Sequence, residues 1–190
     1  KGAIQTTAIV TIASSIFLTL AGILVTDPIL AAVNMPGEAW DLARIYLHIY
    51  FGGVVFLLIY NFGSAILRAK GDTQRPLLAL IAGALLNIVL DFSFTIFLNG
   101  GVAGIALATV IANAVSAGLI VWFLLTEEET YRLNFKGLHI SKPDLSSLLY
   151  IGIPSGLQGA VFAISNVIVQ AAINGFGTDA TAGSSAALNY

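Results

Sequence analysis

The sequence contains no cysteine, so disulfides, thiolate metal sites and a cysteine nucleophile are excluded. It is also poor in charge. Only 9% of its 190 residues are Asp, Glu, Lys or Arg, against about 25% in soluble domains. A soluble fold of this size could not cover its surface with so few charges, whereas a lipid-facing surface needs none. The net charge of −2 argues for no nucleic-acid partner and no acidic one. Neither H-E-x-x-H nor G-x-S-x-G occurs, and no enzymatic role is expected. Hydrophobic residues fill the chain instead: they make up 57% of it, and the mean hydropathy is +0.91.

The apolar residues are grouped into runs of membrane-crossing length, about 20 residues each. Five stretches qualify: Ile4 to Val25, ended by Asp27-Pro28; Ile45 to Leu67; Leu77 to Leu98; Val102 to Leu125; and Leu145 to Phe176. The last is too long for one simple span, and its start predicts a surface helix that bends at Pro154. None alternates apolar and polar residues as a β-barrel strand would. The expected fold is an all-α, polytopic transmembrane bundle. Asn99-Gly100-Gly101 is a tight turn, which makes the third and fourth spans antiparallel neighbours. The longest polar stretch is 126–144. No leader precedes Lys1 and the chain stops at Tyr190, so a fragment of a longer reading frame is expected.

Basic residues set the orientation. Lys1, Arg68, Lys70, Arg75, Arg132, Lys136 and Lys142 fall on one side of the bundle and only Arg44 on the other. The positive-inside rule then puts the start of the chain in the cytoplasm and Tyr190 outside.

Asp91 stands out because it is charged inside a span, which costs about 2.5–3.5 kcal/mol on insertion scales. Asn87 lies one turn earlier on the same face. At about 1.5 Å per residue, Asp91 and Thr109 of the next span fall in one layer, and Asn113 falls near Asn87. Carboxylate, amide and hydroxyl oxygens together suit a hard monovalent cation or a proton; a buried Asp bonded to amides as structural glue is the plainer alternative. On the fifth span Asn166, Gln170 and Asn174 form one polar stripe, fit either to line a water-filled cavity or to hydrogen-bond a neighbouring helix.

The segment Arg68-Ala-Lys-Gly71-Asp72-Thr73-Gln-Arg-Pro76 resembles the loop after the fourth helix in the multidrug and toxic compound extrusion (MATE) family. Asp27-Pro28-Ile-Leu, Asn87-Ile-Val-Leu-Asp91, Gly101-Val-Ala-Gly104, Gly152-Ile-Pro154-Ser-Gly156 and Asn174-Gly-Phe-Gly177 agree in order and spacing. The resemblance implies helices three to seven of a twelve-helix, two-lobe transporter. Residues 1–126 would belong to the N-terminal lobe, 127–144 to the interlobe linker and 145–190 to the start of the C-terminal lobe. It further implies an antiporter coupled to H⁺ or Na⁺, needing no other cofactor, that exports drugs or toxic organic compounds by alternating access. Asp91, Asn87 and Thr109 match the family's cation site. Tyr46, Asn61, Asn113, Asn166 and Gln170 are the expected substrate-pocket residues. Expected partners are membrane lipid and small, cationic organic substrates, with the whole protein a monomer in the cell (plasma or inner) membrane. A lipid-linked saccharide flippase and a non-transporting scaffold are the alternatives. The first would favour basic side chains in its cavity, and the interiors of these spans contain none.

Overall fold

The computed structural model describes residues 2–32, 37–127 and 139–174. The chain divides into two units, 1–141 and 142–190. In the first, α1 (Gly2–Ala32) is followed by α2 (Gly37–Gly52), α3 (Val54–Ala69), α4 (Gln74–Phe92) and α5 (Gly101–Leu125). A π-helical turn, Ser93–Phe97, extends α4. The second unit contains α6 (Lys142–Asn174). Four helices are long and apolar enough to cross a membrane, or five if α2 and α3 together form one bent span.

Two expectations about helix limits are corrected. Asp27-Pro28 does not end the first helix, which carries Pro28 inside it and runs on to Ala32. The second span is not one straight helix: it breaks at Gly53 with a 43° bend. Pro154, where a bend is expected, lies inside the continuous helix α6. Lys142, Pro143 and Asp144 are helical as well, while Phe176 lies outside the described residues.

Helix α5 is the hub of the first unit, packing against α2, α3 and α4. Its buried face is made of Gly104, Ala106, Ala108, Ala112, Ser116 and Ala117, with Ile120 and Leu124 towards its end. Small residues let backbones approach closely, which is how helices associate where lipid removes the hydrophobic drive between them. The core residues Ile4, Leu67, Ala79, Ile120 and Leu124 gather into one cluster, at the end where α3 passes into α4. Facing outward are Phe17, Leu24, Leu78, Leu85, Phe92 and Phe97, all exposed. In water such a surface would be an aggregation patch; in a bilayer it is solvated by lipid tails.

The α4–α5 contact shows how tight this packing is. Ser116 Oγ donates to the Ala79 carbonyl at 3.0 Å, a buried bond between helices. A Cβ on Gly83 would stand 1.9 Å from Ser116 Oγ and 3.1 Å from the Ala112 carbonyl oxygen. Gly83→Ala therefore has to push the helices apart or break that bond, at a cost of about 1–3 kcal/mol. Gly118→Ala, facing open space, should leave stability almost unchanged. Thermal unfolding of the two variants in detergent checks this; equal midpoints would contradict it.

Candidate functional site

Asp91 and Asn87 both lie on α4, half-buried. Asn87 Nδ2 and Asp91 Oδ1 are shut off from the surface and have no hydrogen-bond partner among the described residues. Polar atoms in that state are costly inside a membrane span. Immediately beyond Asp91 the helix widens into the π-helical turn, a feature common at functional sites. The Gly100 N–H donates to the Phe94 carbonyl at 2.8 Å, closing that turn. A Cβ on Gly104 would come within 2.9 Å of Phe94 Cβ, so α5 starts directly against it.

These contacts fix the register of α4 against α5. Ser116 meets Ala79 and Gly83, and Gly104 meets Phe94. Interpolation between them puts Thr109 at the level of residues 86–90, the turn that leads from Asn87 up to Asp91. Asn113 falls one turn further down. Thr109 Oγ1 donates to the Ile105 carbonyl at 3.1 Å, which leaves its lone pairs for a ligand. Among the described residues no hydrogen bond joins Asp91, Asn87 and Thr109 to one another.

The expected pocket residues are more dispersed. Tyr46 is on α2, stacked on Tyr50 with centroids 6.1 Å apart. Asn61 is on α3, exposed, with Nδ2 donating to the Leu57 carbonyl of its own helix at 2.9 Å. Asn113 is half-buried on α5. Asn166 is exposed on α6, in the other unit, and the Gln170 side chain lies outside the described residues.

A second polar site, which span patterns did not reveal, sits where α3 passes into α4. The α3–α4 loop turns on Gly71, whose φ of +95° suits glycine. Asp72 then accepts the N–H groups of Gln74 and Arg75 through Oδ1, both at 3.1 Å, capping the start of α4. Pro76 follows in the first helical turn, where a missing N–H costs nothing. The Arg75 guanidinium pairs with Asp72 and lies 5.9 Å from the Phe123 ring centre. From the end of α5 comes Glu127, its side chain only 5% exposed, 2.6 Å from Lys70 Nζ and 3.1 Å from Arg75 Nη1. The Gly-Asp-Thr loop therefore clamps the end of α5 through one buried carboxylate. The signal in the sequence was an acidic residue following directly on an apolar span, but Glu127 is the first of three consecutive glutamates and so resembles solvated linker.

The hydrogen bond from Lys70, reinforced by Arg75, holds Glu127 below the usual glutamate range although burial pushes the other way. Asp72 is likewise lowered, first by the Arg75 N–H and then by its side chain. Groups lowered on folding contribute stability above their unfolded values, ordinarily 4.5 and 3.8, and lose it as pH falls through the folded ones. Asp72→Asn keeps a capping oxygen and removes the charge. Wild type should unfold at higher temperature than Asp72→Asn at pH 7, with the gap closing as the pH is taken below the carboxylate range. A gap independent of pH would show that the charge is irrelevant.

The comparisons with known proteins bear on the family of the chain. The family profile MatE matches residues 1–93. "Probable multidrug resistance protein YpnP" of Bacillus subtilis (strain 168) is 30% identical over 164 residues, which is 86% of this chain and 36% of that protein. The solved inward-facing conformation of a multidrug resistance MATE transporter is 31% identical with a TM-score of 0.72, over 78% of this chain and 34% of that one. For an outward-facing conformation the values are 28%, 0.79, 90% and 38%. Apolar helices of membrane-crossing length, together with these similarities to transporters, define a polytopic membrane protein of the transporter class. The chain belongs to the multidrug and toxic compound extrusion family, whose members are transporters and not enzymes. It spans about a third of the length of the curated relative named above.

Proposed function

We propose that the intact protein is a cation-coupled antiporter that exports small, cationic organic compounds by alternating access, with Asp91 as the coupling residue. The observation that carries this reading is the Asp91 carboxylate in an apolar helix, with one oxygen shut off and unpartnered. Asn87 on the same helix and Thr109 at nearly the same level complete a set of oxygen ligands suited to H⁺ exchange or to Na⁺. Binding of the cation at Asp91 removes a buried charge and changes the packing of α4 on α5; the reverse change accompanies cation release. Relatives solved in inward- and outward-facing conformations supply the two end states such a cycle needs. Within the first unit, Tyr46, Asn61 and Asn113 would contribute to the substrate pocket.

The protein would lie in the cell membrane as a monomer, with Lys1 and the Gly71 loop in the cytoplasm. Reconstitution in vesicles tests the activity: an imposed H⁺ or Na⁺ gradient should drive a cationic dye against its own gradient. Dye movement unaffected by either ion would refute coupling. Single cysteines at Lys70 and Asp41 test the orientation, since this stretch has none of its own. They should react with a membrane-impermeant reagent from opposite sides; labelling from one side would overturn the topology.

A further inference from the structure

The break between α2 and α3 is built from specific parts. The Gly53 N–H is shared between the Ile49 and Tyr50 carbonyls, at 3.1 and 3.0 Å, and Phe56 N–H returns to the Gly53 carbonyl at 3.1 Å. In a continuous helix the Phe51 carbonyl would accept the N–H of Val55. Here it accepts Thr19 Oγ1 of α1 at 3.0 Å. A backbone carbonyl released inside a membrane has no water to turn to, so its replacement donor matters.

Two close approaches hold the same junction. A Cβ on Gly22 of α1 would stand 2.2 Å from the Phe51 ring, and one on Gly53 would stand 2.4 Å from the Val110 side chain of α5. Gly52, next to it, faces open space. Gly53 has φ −91°, which any residue can adopt, so space and not backbone freedom demands glycine there. Beyond the break, α2 carries the stacked Tyr46 and Tyr50. Its outer part is tied to α1 by Arg44, with Nε and Nη2 at 2.8 and 3.0 Å from the Asp27 carboxylate.

We infer that Thr19 is a positioning residue: by holding the Phe51 carbonyl it sets the angle of α2 at the Gly53 break and so fixes where Tyr46 stands. Thr19 itself touches no substrate. The angle is independent of what is transported, whereas the effect on substrate affinity rests on the reading given above. The lever is long. Leu42 is about 16 Å of helix from Gly53, so a swing of about 15° moves it about 4 Å.

The test uses the intact transporter with spin labels at two pairs of exposed positions. Leu42 and Ile105 report α2 against α5; Ala65 and Gly118 report α3 against α5. Thr19→Val keeps the shape and removes the donor, while Thr19→Ser keeps the donor. Thr19→Val should shift or broaden the Leu42–Ile105 distance by about 4 Å, leave Ala65–Gly118 unchanged, and raise KM for a cationic dye several-fold. Thr19→Ser should match wild type in all three. Gly53→Ala should disturb the outer pair independently of the hydroxyl, and Gly52→Ala should not. An outer distance in Thr19→Val equal to wild type would overturn the inference, as would equal broadening of both pairs, which signifies general loosening. A shifted outer distance in a protein that carries no dye would sink the transport reading and leave the positioning role of Thr19 standing.

Discussion

Asp91→Asn should abolish ion-driven efflux while the protein still reaches the membrane in near-normal amount. The substitution preserves size and removes the ionisable group. Inserting a carboxylate costs about 2.5–3.5 kcal/mol near the middle of a span, so its loss does not threaten folding. What is lost is the ability to exchange a proton or pair with a cation. If Asp91 were only glue between helices, an amide could still hydrogen-bond and efflux would persist. Its Oδ1 atom has no partner among the described residues, which a gluing role does not explain. Dye efflux and membrane abundance, measured side by side, separate the two accounts. Asn61→Ala should act differently, altering affinity for some substrates while coupling survives, because its amide is exposed and bonded only to its own helix.

Glu127→Gln should have the largest effect on stability. An exposed ion pair contributes about 0–1 kcal/mol, and removing one partner of a fully buried pair costs about 3–5 kcal/mol. Glu127 is 5% exposed while Lys70 and Arg75 are 24% and 34% exposed. The cost should fall between those limits, at about 2 kcal/mol. It arises because the carboxylate that Lys70 and Arg75 share would no longer offset their charges. Thermal unfolding near neutral pH measures it, and an unchanged midpoint would mean that the cluster does not hold α5. Adding Lys70→Met to Glu127→Gln should recover part of the loss, since one of the two opposed charges is gone.

Much of this architecture is legible in the residues. Long uncharged runs mark the helices, because a span must satisfy its backbone internally and needs apolar side chains to do so. Asp91 is conspicuous for the same reason. The Gly-Asp-Thr loop announces its family and also its local geometry, with a glycine for the turn and an aspartate for the cap. Other features depend on contacts that periodicity cannot convey. Helices α1, α5 and α6 are apolar on nearly every side, so periodicity does not tell which of their faces meets protein and which meets lipid. Gly52 and Gly53 read alike in the sequence, yet Val110 of α5, 57 residues further on, makes only Gly53 indispensable. Glu127 looks like linker until Lys70 and Arg75 are brought to it. Pro28 misleads in the opposite direction: it reads as a break, yet it lies inside a continuous helix.

Cation exchange on substrate binding tests the assignment of Asp91 most directly. The purified, intact transporter is mixed with a cationic dye in weak buffer, and released protons are followed with a pH indicator, or released Na⁺ with a sodium-selective electrode. Wild type should release a cation as dye binds, and Asp91→Asn should bind dye and release none. Equal release from both proteins would contradict the role of Asp91 as the coupling residue.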